Sequence, residues 1–344
     1  EYRTETYDGA ARGGVLLQRV DQNFEQGGTV PWWTGAPDAS PAINPRVNDV
    51  VTRLPSSSGA DKVSRTNQIF DRFNDPIQTD EFDYGSGAPG GLLRRTKRTY
   101  LEMQYGLDYA DDFSIHLRGL PKIEEVYEPS SLESPKSRTV YEYDRYSEEP
   151  AHALLIDRSN VTQHDSDYGT GYRPRGNVTG THRWLDDPES TISSYAQFDV
   201  LGNVVKTISP RGKETTIDFA DHFGPTDGTL ADDQTPPPLV QPNGGTRKTW
   251  ALPTAVTNPV GHRGRTQYDY YIGRPVDAED PNQVVSSSRY FDPLDRLNRS
   301  IRATNHVDVR TNTSFAYNDA LHTVLTRRDH RNYDDGRLRT LAHY

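Results

Sequence analysis

An aromatic residue followed by Asp, with Gly three residues after the Asp, recurs along this 344-residue chain. The clearest copy lies in QFDVLGNVVKTISPRG, where Phe198 and Asp199 precede Gly202. An Asp that opens a turn accepts hydrogen bonds from backbone N–H groups further on, and a Gly takes the left-handed conformation that such a turn requires. Because each copy is expected to build the same piece of structure, the repeat constrains the fold more than any other feature.

Degenerate copies of this motif occur from the beginning to the end of the chain. In the second copy Asn74 stands in the Gly position, and the copy around Gly176 lacks the Asp. Asn is the next-best residue where φ is positive. We predict that the structural repeat motif comprises Tyr7, Asp8, Phe70, Asp71, Tyr172, Gly176, Phe198, Asp199, Gly202, Asp221, Gly224, Tyr268, Asp269, Gly273, Arg274, Phe291, Asp292, Arg296, Tyr333, Asp334 and Gly336.

The segments between these motifs have the two-residue periodicity of half-buried strands. Ile217 and Phe219 alternate with Asp218, and in residues 101–105 apolar side chains alternate with Glu102 and Gln104. The 27 Gly and 24 Pro residues are spread along the chain, which favours many short elements joined by turns. The sequence therefore predicts an all-β fold in which each copy is a strand–turn–strand hairpin.

Composition limits the core and excludes several partners. Hydrophobic residues make up only 33% of the chain, and 20 of the 34 aromatic residues are Tyr, whose hydroxyl tolerates a boundary with water. The formal charge of −10 disfavours nucleic acid as a partner. No apolar run reaches the roughly 18 residues of a membrane span. The absence of Cys excludes disulfides and thiolate metal sites.

We expect one array over residues 1–344, cut from a larger protein. Residues 26–66 contain many turn-forming residues and predict a loop-rich insertion, and residues 228–247 predict a Pro-rich connector.

The segments YDYYIGRPV, YFDPLDRL, QFDVLGNVVKT and YDDGRL resemble the YD repeats of the Rhs (rearrangement hotspot) family, which is similar to the toxin-complex C proteins and the teneurin ectodomain. The resemblance implies β-hairpins wound as a continuous strip, forming part of a hollow shell. Such a shell commonly encloses a toxin or the protein's own C-terminal polypeptide. The family's closing core is best approached by Arg289–Ser300, but that segment is one residue short in its turn and no Asp-Pro follows. We interpret it as an ordinary repeat.

No complete catalytic, cofactor-binding or metal-binding constellation is present in the sequence. Adjacent acids such as Glu124 and Glu125 would point to opposite faces of a strand and could not flank one scissile bond. Asp165 and Asp167 resemble half of a calcium loop, but the distal ligands are missing and a carboxylate-stabilised turn is the better interpretation. We therefore predict that the chain is not an enzyme and binds no cofactor or metal.

The predicted function is structural: a repeat segment of an Rhs-like shell in an exported bacterial protein, located outside the cell or at its surface. Its expected partners are the rest of the shell and an enclosed toxin polypeptide. Two alternatives remain open. One is an extracellular fibre or adhesin of stacked YD repeats. The other is a carbohydrate-binding or carbohydrate-acting β-repeat protein, for which Trp32 and Trp33 would supply a stacking platform.

Overall fold

A computed structural model of the chain describes residues 2–9, 13–26, 44–161, 164–185, 187–221, 248–269 and 271–344. They divide into two compact units. Unit 1 comprises residues 1–144 and 174–194, and unit 2 comprises residues 145–173 and 195–344. No helix within the described ranges is long and apolar enough to cross a membrane.

Unit 1 is built from antiparallel hairpins. Its strands are β1 (Tyr2–Asp8), β2 (Val15–Glu25), β3 (Arg46–Leu54), β4 (Lys62–Phe70), β5 (Pro76–Ser86), β6 (Leu92–Tyr100), β7 (Met103–Gln104), β8 (Leu107–Asp108), β9 (Pro121–Tyr127), β10 (Ser137–Tyr143), β11 (Val178–Leu185) and most of β12 (Asp187–Phe198). Strands β1 to β6, β9, β10 and β11 pair antiparallel in that order. Strands β7 and β8 form a separate two-stranded pair.

Unit 2 repeats the same arrangement with shorter strands. After the end of β12 come β13 (Val204–Ile208), β14 (Glu214–Asp218), β15 (Ala255–Thr257), β16 (Arg263–Asp269), β17 (Arg274–Glu279), β18 (Val285–Arg289), β19 (Arg299–Arg302), β20 (Thr311–Asn318), β21 (Thr323–Arg328) and β22 (Leu338–His343). Each strand from β12 to β22 pairs antiparallel with the next along the chain. Successive turns therefore lie at opposite edges of the ladder.

The all-β prediction is confirmed, and the described residues contain no α-helix. Burial alternates residue by residue along β14, as the period-two pattern predicted. The one helical element described is a 3-10 turn over Ser166–Tyr168. The side chain of Asp165 accepts a hydrogen bond from the Asp167 N–H there, as in a carboxylate-stabilised turn.

The core is thin and divided into small clusters that include tyrosines. In unit 1 Leu101, Tyr109 and Tyr143 are buried together. In unit 2 the cluster contains Tyr146, Leu155, Phe198 and Val200. Aromatic side chains bury a large area per residue, so a few of them can support a polar chain.

Two sequence expectations need correction. The loop-rich insertion expected over residues 26–66 is narrower, because β3 and most of β4 lie inside it and pair with each other from Asp49 to Leu54. Residues 101–105 are not one strand: β6 ends at Tyr100, and the chain turns at Tyr105 with φ +52°. Leu101 is buried but Met103 is exposed, so these two side chains do not share one buried face as they would in a single strand. Residues 27–43, with Trp32 and Trp33, and the connector 228–247 lie outside the described residues.

Candidate functional site at the aspartate turns

The turn after β12 shows how the repeat motif is used. The Asp199 carboxylate is fully buried, and its Oδ1 accepts from the N–H groups of Leu201 and Asn203 at 3.0 and 2.9 Å. The Asp199 N–H donates to the Asn203 carbonyl oxygen, and the Gly202 N–H donates to the Asp199 carbonyl oxygen. Gly202 has φ +84°, the left-handed conformation that closes a three-residue hairpin loop.

The two backbone hydrogen bonds of the Asp199 turn recur at Asp71, and also at three turns that lack the aromatic residue. These begin at Ser209, Asn258 and Asp280, and in each the first side chain accepts from the N–H four residues on. In each of these turns the residue three positions after the first one has positive φ. These residues are Asn74, Gly212, Gly261 and Gln283. Pro follows the first residue in SPRG, NPVG and DPNQ. Pro presets φ at the second position of a type I turn, so here it accompanies the Ser, Asn or Asp that opens the turn.

Asp144 forms this turn with residues that lie far along the chain. Its Oδ2 accepts from the N–H groups of Arg175 and Gly176 at 3.0 and 2.9 Å, and its Oδ1 accepts from the Asn177 N–H at 2.8 Å. The Asp144 N–H donates to the Asn177 carbonyl oxygen, as Asp199 does to Asn203. The Tyr109 hydroxyl adds a fourth hydrogen bond at 3.1 Å. The turn is complete although residues 145–173 are inserted into it.

This finding corrects the residues that we assigned to the motif copy around Gly176. Asp144 is the Asp that the alignment did not find, and the preceding Tyr143, which is buried, holds the aromatic position. Tyr172 lies elsewhere, with its ring edge-on to that of Tyr168 at 4.8 Å. Sequence spacing missed the pair because the insertion separates Asp144 from Gly176.

Asp221 also binds residues distant in sequence. Its carboxylate accepts from the N–H groups of Thr249 and Trp250 at 2.7 and 3.0 Å, and from the Thr249 hydroxyl. Trp250 has φ +50°. Gly224, which the sequence paired with Asp221, lies outside the described residues.

The remaining copies depart from this geometry in different ways. Asp269 opens a longer loop in which Gly273 has φ +63° and its N–H donates to the Asp269 carbonyl oxygen. Asp292 accepts from the Leu294 N–H, while Phe291 is 76% exposed. The turn near Tyr333 is closed by Asp335, which accepts from four backbone N–H groups, and these hydrogen bonds lower its pKa.

Asp334 and the first motif copy differ again. Asp334 has φ +63°, and its carboxylate pairs with Arg299 instead of the turn backbone. Gly336 also has positive φ. In the first copy Tyr7 and Asp8 end β1, and Gly9 after them has φ +89°.

A β-bulge lies opposite an aromatic residue near the end of the first strand in eight of the described strand pairs. The strand register shifts immediately before Tyr7, Phe24, Phe70, Phe82, Tyr100, Tyr143, Phe198 and Tyr268. In the Phe198 hairpin Val205 is the extra residue on the returning strand, and it is buried. A bulge re-aims side chains next to it, so the register shift directs the aromatic ring at the same point of each hairpin.

Tyr hydroxyls connect one hairpin to the preceding one. The Tyr100 hydroxyl donates to the Pro76 carbonyl oxygen at 3.1 Å, and the Tyr143 hydroxyl to the Pro121 carbonyl oxygen at 2.8 Å. Pro121 is itself the strand partner of Tyr100. In unit 2 the Tyr268 hydroxyl donates to the Pro253 carbonyl oxygen at 2.8 Å. Burial raises the pKa of Tyr143 to about 12, so its hydroxyl keeps its proton.

Arginines of the motif connect successive turns in the opposite direction. Arg274 donates to the Asp295 carbonyl oxygen of the next turn at 3.0 Å. Arg296 binds Asp292 in its own turn and Asp319 in the next, with its guanidinium 4.1 Å from the Tyr317 ring centre. Hydrogen bonds from Arg296 lower the pKa of Asp292 and, with one from the Tyr344 hydroxyl, lower that of Asp319 to about 2.

The carboxylates of these turns are committed to structural contacts. Arg158, whose side chain is 12% exposed, donates to Asp199 Oδ2 at 2.9 Å and lies over the Trp250 ring. Among the described residues no group of three His, Asp or Glu side chains is arranged to hold a metal ion. The arrangement ties backbone to backbone, and it presents no carboxylate pair across an open cleft at these turns.

No protein-family model matches the chain, and no curated protein matches it. Among solved structures, the chain is similar to TcdB2–TccC3, with 12% identity and a TM-score of 0.32 over 95% of this chain and 18% of that one. For TcdB2–TccC3–TEV the identity is 11% and the TM-score 0.37, over 91% and 15% of the two chains.

For the Photorhabdus luminescens Tc holotoxin pore the identity is 10% and the TM-score 0.34, over 92% and 15%. The chain thus spans less than a fifth of the length of these toxin-complex chains.

Proposed function

We propose that this chain is a structural segment of a repeat wall that encloses a toxin or another polypeptide in an exported bacterial protein. The observation that carries the proposal is the buried aspartate turn, built alike at Asp199 and Asp144 and tied to neighbouring hairpins by side-chain hydrogen bonds. Such a device stiffens a strip of hairpins in which each copy contacts mainly its neighbours.

A catalytic role is not part of the proposal. Asp144 and Asp199 each accept at least four hydrogen bonds, and both are fully buried. A carboxylate that already accepts several hydrogen bonds has little capacity left to bind or deprotonate a substrate. Enclosure requires a continuous wall instead, and pairing each strand with its neighbours reduces the number of free strand edges.

The proposal is tested by protease protection in the full-length protein that contains this chain. We expect the enclosed polypeptide to survive a protease concentration that degrades the same polypeptide expressed alone. The double variant Asp144→Ala/Asp199→Ala should expose it, because the backbone donors of two turns lose their acceptor. Asp308→Ala, which changes an exposed Asp, is the matched control and should leave protection intact.

Two results would overturn the proposal. One is cleavage of the accompanying polypeptide at the rate of the free form while the wall remains intact. The other is electron microscopy of the full-length protein showing open fibres without an interior, which would favour the fibre or adhesin alternative.

A further inference from the structure

Unit 2 contains a pocket of about 470 Å³ over strands β19 to β21 that the aspartate turns do not explain. Ser300, Arg302, Thr311, Thr313, Arg328 and Asp329 are among the residues that line it. None of these six residues takes part in the aspartate turns or in the hydrogen bonds between hairpins described above.

The strand register places the hydroxyl and guanidinium groups on one face. Arg302 lies opposite Thr311, and Ser300 opposite Thr313, so these four residues share a face of the β19–β20 pair. Thr313 lies opposite Arg328 on the next strand, which extends the same face. The two arginines stand two strands and two residues apart, about 12 Å between Cα atoms from strand spacing. Their long side chains flank the intervening threonines.

Both arginines lack a carboxylate partner among the residues that the structure describes. Arg302 and Arg328 are exposed and form no described ion pair, in contrast to Arg296 and Arg299 nearby. The hydroxyls of Ser300, Thr311 and Thr313 form no described hydrogen bond either. The pocket therefore contains two guanidinium forks and three free hydroxyl donors directed to one face.

The local charge differs from that of the whole chain. Residues 300–344 contain seven Arg and five Asp, a formal charge of +2, whereas the chain carries −10. One of these acids, Asp329, lines the pocket; its Oδ2 accepts from the Asn312 N–H at 2.7 Å, and its buried Oδ1 has no hydrogen-bond partner among the described residues. A cationic patch on an acidic protein concentrates anions locally.

We propose that this pocket binds a tetrahedral oxyanion, the phosphate or sulfate group of an ester. A guanidinium presents parallel N–H donors that match the oxygens of such a group, and hydroxyls complete its hydrogen bonds. The proposal is independent of the wall function.

The test is calorimetric titration of the full chain at low ionic strength with inorganic phosphate, inorganic sulfate and acetate. We expect saturable binding of phosphate or sulfate and weaker binding of planar acetate. Whichever tetrahedral ion binds more tightly indicates whether the ligand is a phosphate ester or a sulfate ester. Arg302→Gln and Arg328→Gln should each weaken binding about 10-fold or more, since each removes charge-assisted hydrogen bonds. The affinity of Arg302→Lys should lie between those of the parent and Arg302→Gln, because Lys keeps the positive charge but lacks the paired N–H donors of a guanidinium.

Two further variants make the test specific. Arg211→Gln removes the same charge from an exposed turn outside the pocket and should leave the affinity unchanged. Asp329→Asn keeps an acceptor for the Asn312 N–H, removes the one acid in the pocket, and should strengthen binding. The proposal is overturned if neither tetrahedral ion binds, if acetate binds equally well, or if Arg211→Gln weakens binding as much as Arg302→Gln.

Discussion

The turns at Asp199 and Asp144 share their closing hydrogen bonds, from the Asn N–H to the carboxylate and from the Asp N–H to the Asn carbonyl oxygen, but differ in how the chain supplies them. In the first, Asp199 and Asn203 are four residues apart; in the second, 33 positions separate Asp144 from Asn177. In both, the carboxylate accepts the distant Asn N–H and the Gly before that Asn has positive φ. The unit that the fold repeats is therefore a hydrogen-bonded turn, and an insertion can enter it without removing its closing contacts.

Removing either carboxylate should produce the largest effect. Asp144→Ala leaves three backbone N–H groups without their acceptor, and Asp199→Ala leaves two backbone N–H groups and the nearly buried Arg158 without theirs. We expect each to cost about 3–5 kcal/mol in urea unfolding. The exposed Asp308→Ala should stay within about 0.5 kcal/mol. We call the Asp144 turn, which residues 145–173 interrupt, the split turn. A large loss of unfolding free energy in Asp199→Ala with none in Asp144→Ala would show that the split turn is not equivalent to the Asp199 turn.

Substituting the glycines should cost less and should separate backbone strain from crowding. Gly202→Val and Gly176→Val both place a β-branched residue at positive φ, at about 1–3 kcal/mol each. A Cβ at Gly176 lies 3.4 Å from Leu120, whereas none of the described atoms approaches one at Gly202 within 4 Å. The Cβ itself is at ordinary contact distance, but the two γ-methyl groups of Val must also fit beside Leu120, so Gly176→Val should be the more costly in thermal unfolding. Gly91→Val, at an open position without positive φ, is the control, and an equal loss there would remove the strain explanation.

The smallest effect concerns the Tyr hydroxyl that connects hairpins. Tyr143→Phe should cost about 0.5–1.5 kcal/mol at neutral pH, since it removes one hydrogen bond to the Pro121 carbonyl oxygen. Because folding raises the Tyr143 pKa from 10.0 to about 12, its stabilisation is complete below pH 10 and declines as the pH rises toward 12. Tyr143→Phe should flatten the stability curve over that window. An unchanged slope would contradict this assignment.

Much of the fold was predictable because its turn chemistry is local. Phe70, Asp71 and Asn74, or Phe198, Asp199 and Gly202, carry the full signal within five residues. The Asp144 turn was missed because its two halves are separated in sequence, and the turns at Ser209, Asn258 and Asp280 because they lack the aromatic residue. In the copy at Asp334, the neighbouring Asp335 accepts the backbone N–H groups of the turn instead. Which of the two adjacent Asp residues does so depends on the path of the backbone, and the motif alone does not specify it. The links from Arg274 and Arg296 to the next turn depend on strand register, which spacing alone does not determine.

The most direct test deletes the insertion from the split turn. Removing residues 145–173 joins Asp144 to Pro174 and creates the contiguous segment YDPRGNV, with the spacing of the Phe198 copy and the Pro of SPRG. Hydrogen exchange followed by mass spectrometry would compare this variant with the parent chain. If the turn is the repeated unit, the backbone amides of Asp144 and Asn177 and those of β10 and β11 should keep their protection. Protection near Phe198 should fall, because its packing partners Tyr146 and Leu155 are lost. Loss of protection at Asn177 and along β10 and β11 would contradict the claim that the hydrogen-bonded turn, and not its sequence surroundings, builds the hairpin.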